Sequence, residues 1–110
     1  MKEKFLPAFE GLVDGLKDPG VRLQMLMAVL TLIAGVVLHL EAMEWVAVII
    51  CIAMVLATEM LNTCIEDLCN LYYTGADERI RKIKDMAASA VLIAGLGSLI
   101  TALIILSRHI

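Results

Sequence analysis

A glycine-rich phosphate loop, paired cysteines and a dominant charge are all missing from this sequence of 110 residues. Without a GxxxxGK[ST] stretch there is no P-loop to cradle phosphates, and the nearest run, GLGS at 95–98, falls in the middle of an apolar block. Cys51, Cys64 and Cys69 form no CxxC pair, and Cys64 and Cys69 stand five apart, a spacing that does not place them on one helix face. They read as small apolar packing residues, with no zinc site among them. A net charge of −3 gives no argument for nucleic acid or anionic partners. Internal repeats, low-complexity runs and a separate soluble domain are absent as well.

What is present is apolar sequence in blocks. The apolar fraction is 61% and the mean hydropathy +0.89, against roughly 45–50% apolar residues in soluble domains. A soluble chain this short has no interior large enough to hide so much apolar surface. Residues 23–40 are interrupted only by Gln24, Thr31 and His39, while 45–58 and 86–106 carry no charge. About 20 mostly apolar residues suffice to cross a membrane as a helix. The second block reaches that length only by running on through Glu59. Ahead of the first block, Phe5, Phe9, Leu12, Val13 and Leu16 recur at helical spacing opposite Glu10, Asp14 and Lys17, the pattern of a helix lying in the membrane surface. The expected fold is an all-α membrane protein of one domain over 1–110, with a surface helix at about 3–17 and spans at about 21–40, 45–66 and 84–106.

Local signals sharpen these elements. Asp18-Pro19 supplies a favoured N-cap and a favoured first helical residue for the first span. Glu44-Trp45 opens the second span, with the indole at aromatic-belt height. Residues 70–77 form a polar turn, and the third helix starts near Asp77 or Glu78. Ala90, Ala94, Ser98 and Ala102 make a stripe of small residues that reads as helix packing. Lys2, Lys4, Lys17 and Arg22 precede the first span, and Arg79, Arg81, Lys82 and Lys84 lie between the second and third. The positive-inside rule therefore puts the N-terminus and the 70–85 loop in the cytoplasm and the C-terminus outside. The first span starts too late, runs too long and lacks the small-residue site of a cleavable signal.

Glu59 is the feature that demands chemistry. It lies about 21 Å along the helix from Trp45, within the cytoplasmic leaflet, where a carboxylate costs at least about 2.5 kcal/mol. Asn62, Glu66 and Asn70 follow at helical spacing, so the four side chains share a stripe about 80° wide that climbs toward the surface. Lys84 and Asp85 return to that surface at the base of the third helix. Two acids, an amide and a lysine are suitable parts for phosphoryl transfer, which needs phosphate charge neutralised and the nucleophile's proton removed. With no P-loop, carboxylate-held Mg²⁺ would have to handle the phosphates. Read without chemistry, Glu59 is half of a buried ion pair, Asn62 a helix–helix hydrogen bond, Glu66 a solvated end-of-helix charge, and Lys84–Asp85 an interfacial pair.

Glu59-Met60-Leu61-Asn62-Thr63-Cys64-Ile65-Glu66 resembles the E-x-x-N-[ST]-x-x-E signature of the prokaryotic diacylglycerol kinase and undecaprenol kinase family. Lys84-Asp85-Met86-Ala87-Ala88-Ser89-Ala90-Val91-Leu92 is similar to the family's K-D-x-x-x-x-A-V-L stretch, and the likeness spans nearly the whole chain. The resemblance implies a homotrimeric lipid kinase of the bacterial inner (cytoplasmic) membrane, with sites shared between subunits. ATP, Mg²⁺, membrane lipids and a lipid alcohol are its implied partners, and nucleic acid is not among them. It implies Glu59 as catalytic base, Glu66 as metal ligand, Asn62 as the signature amide, and Lys84 and Asp85 in the nucleotide site, with Asn70 and Asp77 counted there too. A second metal-binding acid normally stands four residues before an arginine; Arg22 points back to Asp18, where the family usually has Glu. Asp18 is thus a candidate for metal binding or for helix capping. Asn70 replaces the family's usual Asp, and nothing is carried over from residues 1–17. The compact N-terminus and the Glu44-Trp45 start are similar to the branch that favours undecaprenol, with diacylglycerol the alternative substrate. The rival class is a non-catalytic oligomeric channel or transporter subunit in which Glu59 relays protons.

Overall fold

The computed structural model describes residues 2–72 and 75–110, the side chain of Lys2 excepted. Part of the turn expected at 70–77 lies outside the described residues. Four α-helices follow in order: α1 (Lys2–Gly15), α2 (Pro19–Leu38), α3 (Ala42–Tyr72) and α4 (Glu78–His109). The last three are long and apolar enough to cross a membrane. Among the described residues only Val21, Val48, Cys69 and Ile105 form a buried apolar core, while rows of Leu, Ile and Val stay exposed on every long helix. Outward apolar faces of this extent suit lipid as the solvent.

α1 keeps Phe5, Phe9, Leu12 and Val13 exposed on one side, as a surface helix requires. It stops at Gly15, two residues short of the expected end. There the Lys17 N–H bonds to Asp14 O at 3.1 Å and the Asp18 N–H to Gly15 O at 3.0 Å, tightening the chain into a turn. A Cβ on Gly15 would come within 2.7 Å of Met60 Cε, so the end of α1 rests against α3.

α2 ends in a Schellman motif. His39 takes the left-handed conformation (φ 58°), its N–H reaches Val36 O at 3.2 Å, and the Leu40 N–H reaches Gly35 O at 3.2 Å. The tight reversal leads into α3, whose start is fixed by Glu44: its Oε1 accepts from the Glu41 N–H at 2.9 Å, the reach-back half of a capping box. Glu44 is only 5% exposed. Its carboxylate also meets His109 Nε2, 3.0 Å from Oε1 and 3.1 Å from Oε2, while Arg108 lies 3.5 Å from Glu41. The start of α3 is thereby clasped to the end of α4.

α3 is the central helix, packing antiparallel against α4 along most of its length and against α2 on another side. It runs to Tyr72, so Asn70, expected to open the turn, lies in its last turn instead. α4 begins as its sequence suggests, with Asp77 as N-cap. The small-residue stripe is only partly covered: Ala94 and Ser98 are half-buried, Ala90 and Ala102 exposed. Ser98 and Ala102 line an apolar groove between the three long helices.

Gly35 is buried where α2 meets α3, and a Cβ there would lie 2.6 Å from Trp45 Cη2 and 3.1 Å from Leu40 Cδ1. Gly35→Ala should therefore destabilise the protein by about 1–3 kcal/mol through overpacking, although Ala is the better helix former. Gly11→Ala, with open space around it, should be neutral or stabilising by up to about 1 kcal/mol. Unfolding in one set of mixed micelles, followed by circular dichroism, tests that ordering, and the reverse order would refute it.

Candidate functional site

The site is built where α2 begins. Asp18 has extended backbone (φ −75°, ψ 129°) and its Oδ2 accepts the Val21 N–H at 3.0 Å, satisfying one of the unpaired donors of the first turn. Pro19 at the first helical position has no N–H to satisfy. The same Oδ2 lies 3.3 Å from Thr63 Oγ1, which is also 3.0 Å from the carbonyl of Glu59 one turn earlier. One hydroxyl proton is thus set between the α3 backbone and the α2 cap, and Thr63 ties the two helices together.

The Glu59 carboxylate lies against the first turn of α2. A Cβ on Gly20 would run into Glu59 Oε1 and sit 3.1 Å from Asp18 Oδ2. Glu59 Oε1 and Asp18 Oδ2 thus flank the same point on the first turn of α2. Further along α3, Asn62 Nδ2 donates to Glu66 Oε1 at 3.1 Å, while Asn62 Oδ1 is buried with no hydrogen-bond partner among the described residues. Further on again, Lys84 Nζ reaches across from α4 to Asn70 Oδ1 at 3.1 Å. The stripe legible in the sequence therefore exists as three consecutive groups: Asp18 with Glu59, Asn62 with Glu66, and Asn70 with Lys84.

Two expected site residues face elsewhere. Asp85 is exposed and bonds Arg81 of its own helix at 2.8 Å, and Arg81 also pairs with Glu78. Asp77 caps α4: its Oδ1 accepts the Arg79 N–H at 2.8 Å, and that bond holds its carboxyl below the usual carboxylate range. Thr63 and Gly20, by contrast, stand inside the site although neither is among the expected site residues. The signal for Thr63 is its place at the [ST] position of the E-x-x-N-[ST]-x-x-E motif, one turn after Glu59; Gly20 gives none beyond its neighbourhood to Asp18. Among the described residues no three His, Cys, Asp or Glu side chains form a cage for a metal ion.

Fold and site together define a multi-pass helical membrane protein with a carboxylate-lined site at one end of its bundle. The family model for prokaryotic diacylglycerol kinase matches residues 7–106, and the chain belongs to that family. A comparison with curated proteins gives no match. Membership makes the chain a lipid kinase, which replaces the channel and proton-relay alternative.

The Thr63 link should be measurable. Thr63→Val keeps the shape but deletes the donor, and should cost about 0.5–1.5 kcal/mol of unfolding free energy. Thr63→Ser should recover most of that loss in the same micelle-based unfolding assay. Equal stability of the Val variant and the parent would mean that the hydroxyl does not join the helices.

Proposed function

We propose that the chain transfers the γ-phosphate of ATP to the hydroxyl of a membrane lipid alcohol, undecaprenol before diacylglycerol, with Glu59 as general base. The observation that carries the reading is the placement of the Glu59 carboxylate at the end of an apolar stretch, against Gly20 and beside Asp18. A carboxylate at that depth is suited to receive the proton of a lipid hydroxyl. As the proton passes to a Glu59 oxygen, the lipid oxygen forms its bond to the γ-phosphorus. The bond from that phosphorus to the β–γ bridging oxygen breaks, and ADP departs with the electron pair. Lys84, steered by Asn70, supplies positive charge for the nucleotide phosphates at the outer end of the stripe.

The donor set also fits Mg²⁺, a hard cation usually held by one or two carboxylates together with substrate phosphates. Glu66, Asp18 and the unpartnered Asn62 Oδ1 would hold it. When bound, the ion would neutralise charge on the transferring phosphoryl group. Capping and metal binding by Asp18 are compatible, because Oδ2 serves Val21 and Thr63 while Oδ1 remains for another partner. Support for a homotrimer comes from the exposed small residues Ala90 and Ala102 and from the apolar groove beside them. The basic residues of the 78–85 segment favour the cytoplasm for the site end.

Purified protein in mixed micelles should incorporate phosphate from ATP into extracted lipid, and only with Mg²⁺ present. Glu59→Gln should lower turnover by about 10²–10⁴-fold, the range for loss of a general base, with titrated Mg·ATP affinity close to the parent's. Turnover within about tenfold of the parent would remove Glu59 from that role. Comparing undecaprenol with diacylglycerol as acceptor in the same assay decides the substrate.

Asp18 separates its two duties by substitution. Asp18→Asn keeps an oxygen able to accept the Val21 N–H and so keeps the cap, but loses the charge. At limiting Mg²⁺ its activity should fall well below those of the parent and of Asp18→Glu, and raised Mg²⁺ should partly restore it by mass action. Equal activity of Asp18→Asn and parent at low Mg²⁺ would leave Asp18 as a cap alone.

A further inference from the structure

Gly20 sits in the first turn of a helix, at a position where Ala would be favoured by up to about 1 kcal/mol. Its conformation gives no reason for glycine, since none of the described glycines has positive φ. The reason is space. A Cβ at this point would strike Glu59 Oε1 and lie 3.1 Å from Asp18 Oδ2. Of those two oxygens, Asp18 Oδ2 is held by the Val21 N–H at 3.0 Å and faces Thr63 at 3.3 Å. Glu59 has no hydrogen bond to its carboxylate among the described residues, so it is the group that would yield. It is also the far end of a flexible side chain, so yielding would disturb little else.

We propose that Gly20 is a positioning residue for the phosphoryl-transfer reaction: its missing Cβ is the seat that holds the Glu59 carboxylate against the start of α2, beside Asp18. The inference rests on the reading of Glu59 as the general base. With a Cβ present, the carboxylate must rotate or withdraw from the α2 side, away from the place where it meets the lipid hydroxyl. A misplacement of about 1 Å in a catalytic group can cost about 10²-fold in rate. Binding of Mg·ATP should be spared, because Asp18 Oδ2 stays held by the Val21 N–H and the other residues assigned to it, Asn62, Glu66 and Lys84, lie further along the stripe.

The test is a double-mutant cycle of Gly20→Ala with Glu59→Asp, read in kcat, in KM for ATP and in the thermal unfolding midpoint. Gly20→Ala alone should lower kcat by about 10–100-fold while KM for ATP stays within about twofold of the parent value. In the Glu59→Asp background the shorter acid leaves room for the methyl group, so adding Gly20→Ala should cost less than about threefold, a strongly non-additive result. Any drop in midpoint caused by Gly20→Ala should vanish in the double variant for the same reason. Should Glu59→Asp turn over too slowly to measure, the kcat of Gly20→Ala set against that of Gly11→Ala decides. Gly11→Ala, remote from the site, controls for the general effect of replacing a helical glycine.

Gly20→Ala within about twofold of the parent in kcat overturns the proposal, and so do losses of equal size in the parent and Glu59→Asp backgrounds. A matched rise in KM for ATP with kcat unchanged also overturns it, by moving the effect to nucleotide binding. Failure of the underlying reading looks different: Glu59→Gln would then keep its turnover whatever Gly20→Ala does.

Discussion

A carboxylate placed inside an apolar span is the constraint to which the rest of this structure answers. In lipid, every backbone N–H and C=O must be satisfied within its own helix, so a transmembrane bundle has few places where polar groups can gather. The first turn of a helix is one of them, because its leading N–H groups have no intrahelical partner and carry partial positive charge. Asp18 answers one of those donors directly, and Glu59 on the neighbouring helix is brought to the same turn. The site is thus an interface between the middle of one helix and the beginning of another. Thr63, one turn from Glu59, joins the two by hydrogen bonding rather than by apolar packing.

Such an interface holds its geometry only when the helices cannot slide. Their register is set at the opposite end of the bundle, about 22 Å away along α3 at 1.5 Å per residue. There the Schellman turn at His39 reverses the chain within a few residues, and the Trp45 ring closes on Gly35 where no side chain intervenes. Glu44 and Glu41 at the start of α3 meet His109 and Arg108 at the end of α4. A shift of α2 or α4 by one residue relative to α3 would break these contacts, and it would carry Asp18 from Thr63 and Lys84 from Asn70. The polar clasp and the glycine contact therefore do for register what a large apolar core does in a soluble domain, in a chain with only four buried apolar residues among those described.

The helical content, the three spans and the polar stripe of α3 are all legible in the sequence, because each depends on periodicity along a single helix. The caps at Asp18 and Asp77 are legible for the same reason: a cap is made with residues two or three positions away. What the sequence does not display is contact between helices. Glu44 reads as the beginning of a span, yet its carboxylate is buried against His109, more than sixty positions later. Gly20 carries no sign in the sequence of the contact it makes: the chain is helical there and a Cβ would meet Glu59. Asp85 shows the converse. Its motif places it beside Lys84 in one site, but consecutive residues on a helix point about 100° apart, and Asp85 pairs instead with Arg81 on its own helix.

The order of groups along α3 has a consequence for any reaction that joins a lipid to a water-soluble phosphate donor. The two substrates approach from opposite directions, one from the hydrocarbon and one from the aqueous surface, so a site between them must grade from apolar to polar over a short distance. A helix provides that gradient without bending, since positions 59, 62, 66 and 70 keep one face while rising about 16 Å. The deepest group, Glu59, has a glycine and a capping carboxylate as neighbours; the shallowest, Asn70, meets the charge of a lysine at the surface. Between them stands the one buried side-chain oxygen without a partner among the described residues, Asn62 Oδ1. A polar atom left unpaired at that depth costs about 1–3 kcal/mol in the isolated chain. Under the proposed reading that cost is recovered when nucleotide and cation enter, because the site gives the amide oxygen the partner it lacks. The unsatisfied atom and the stacked acids are then one arrangement: a surface kept unfavourable until the phosphate donor arrives.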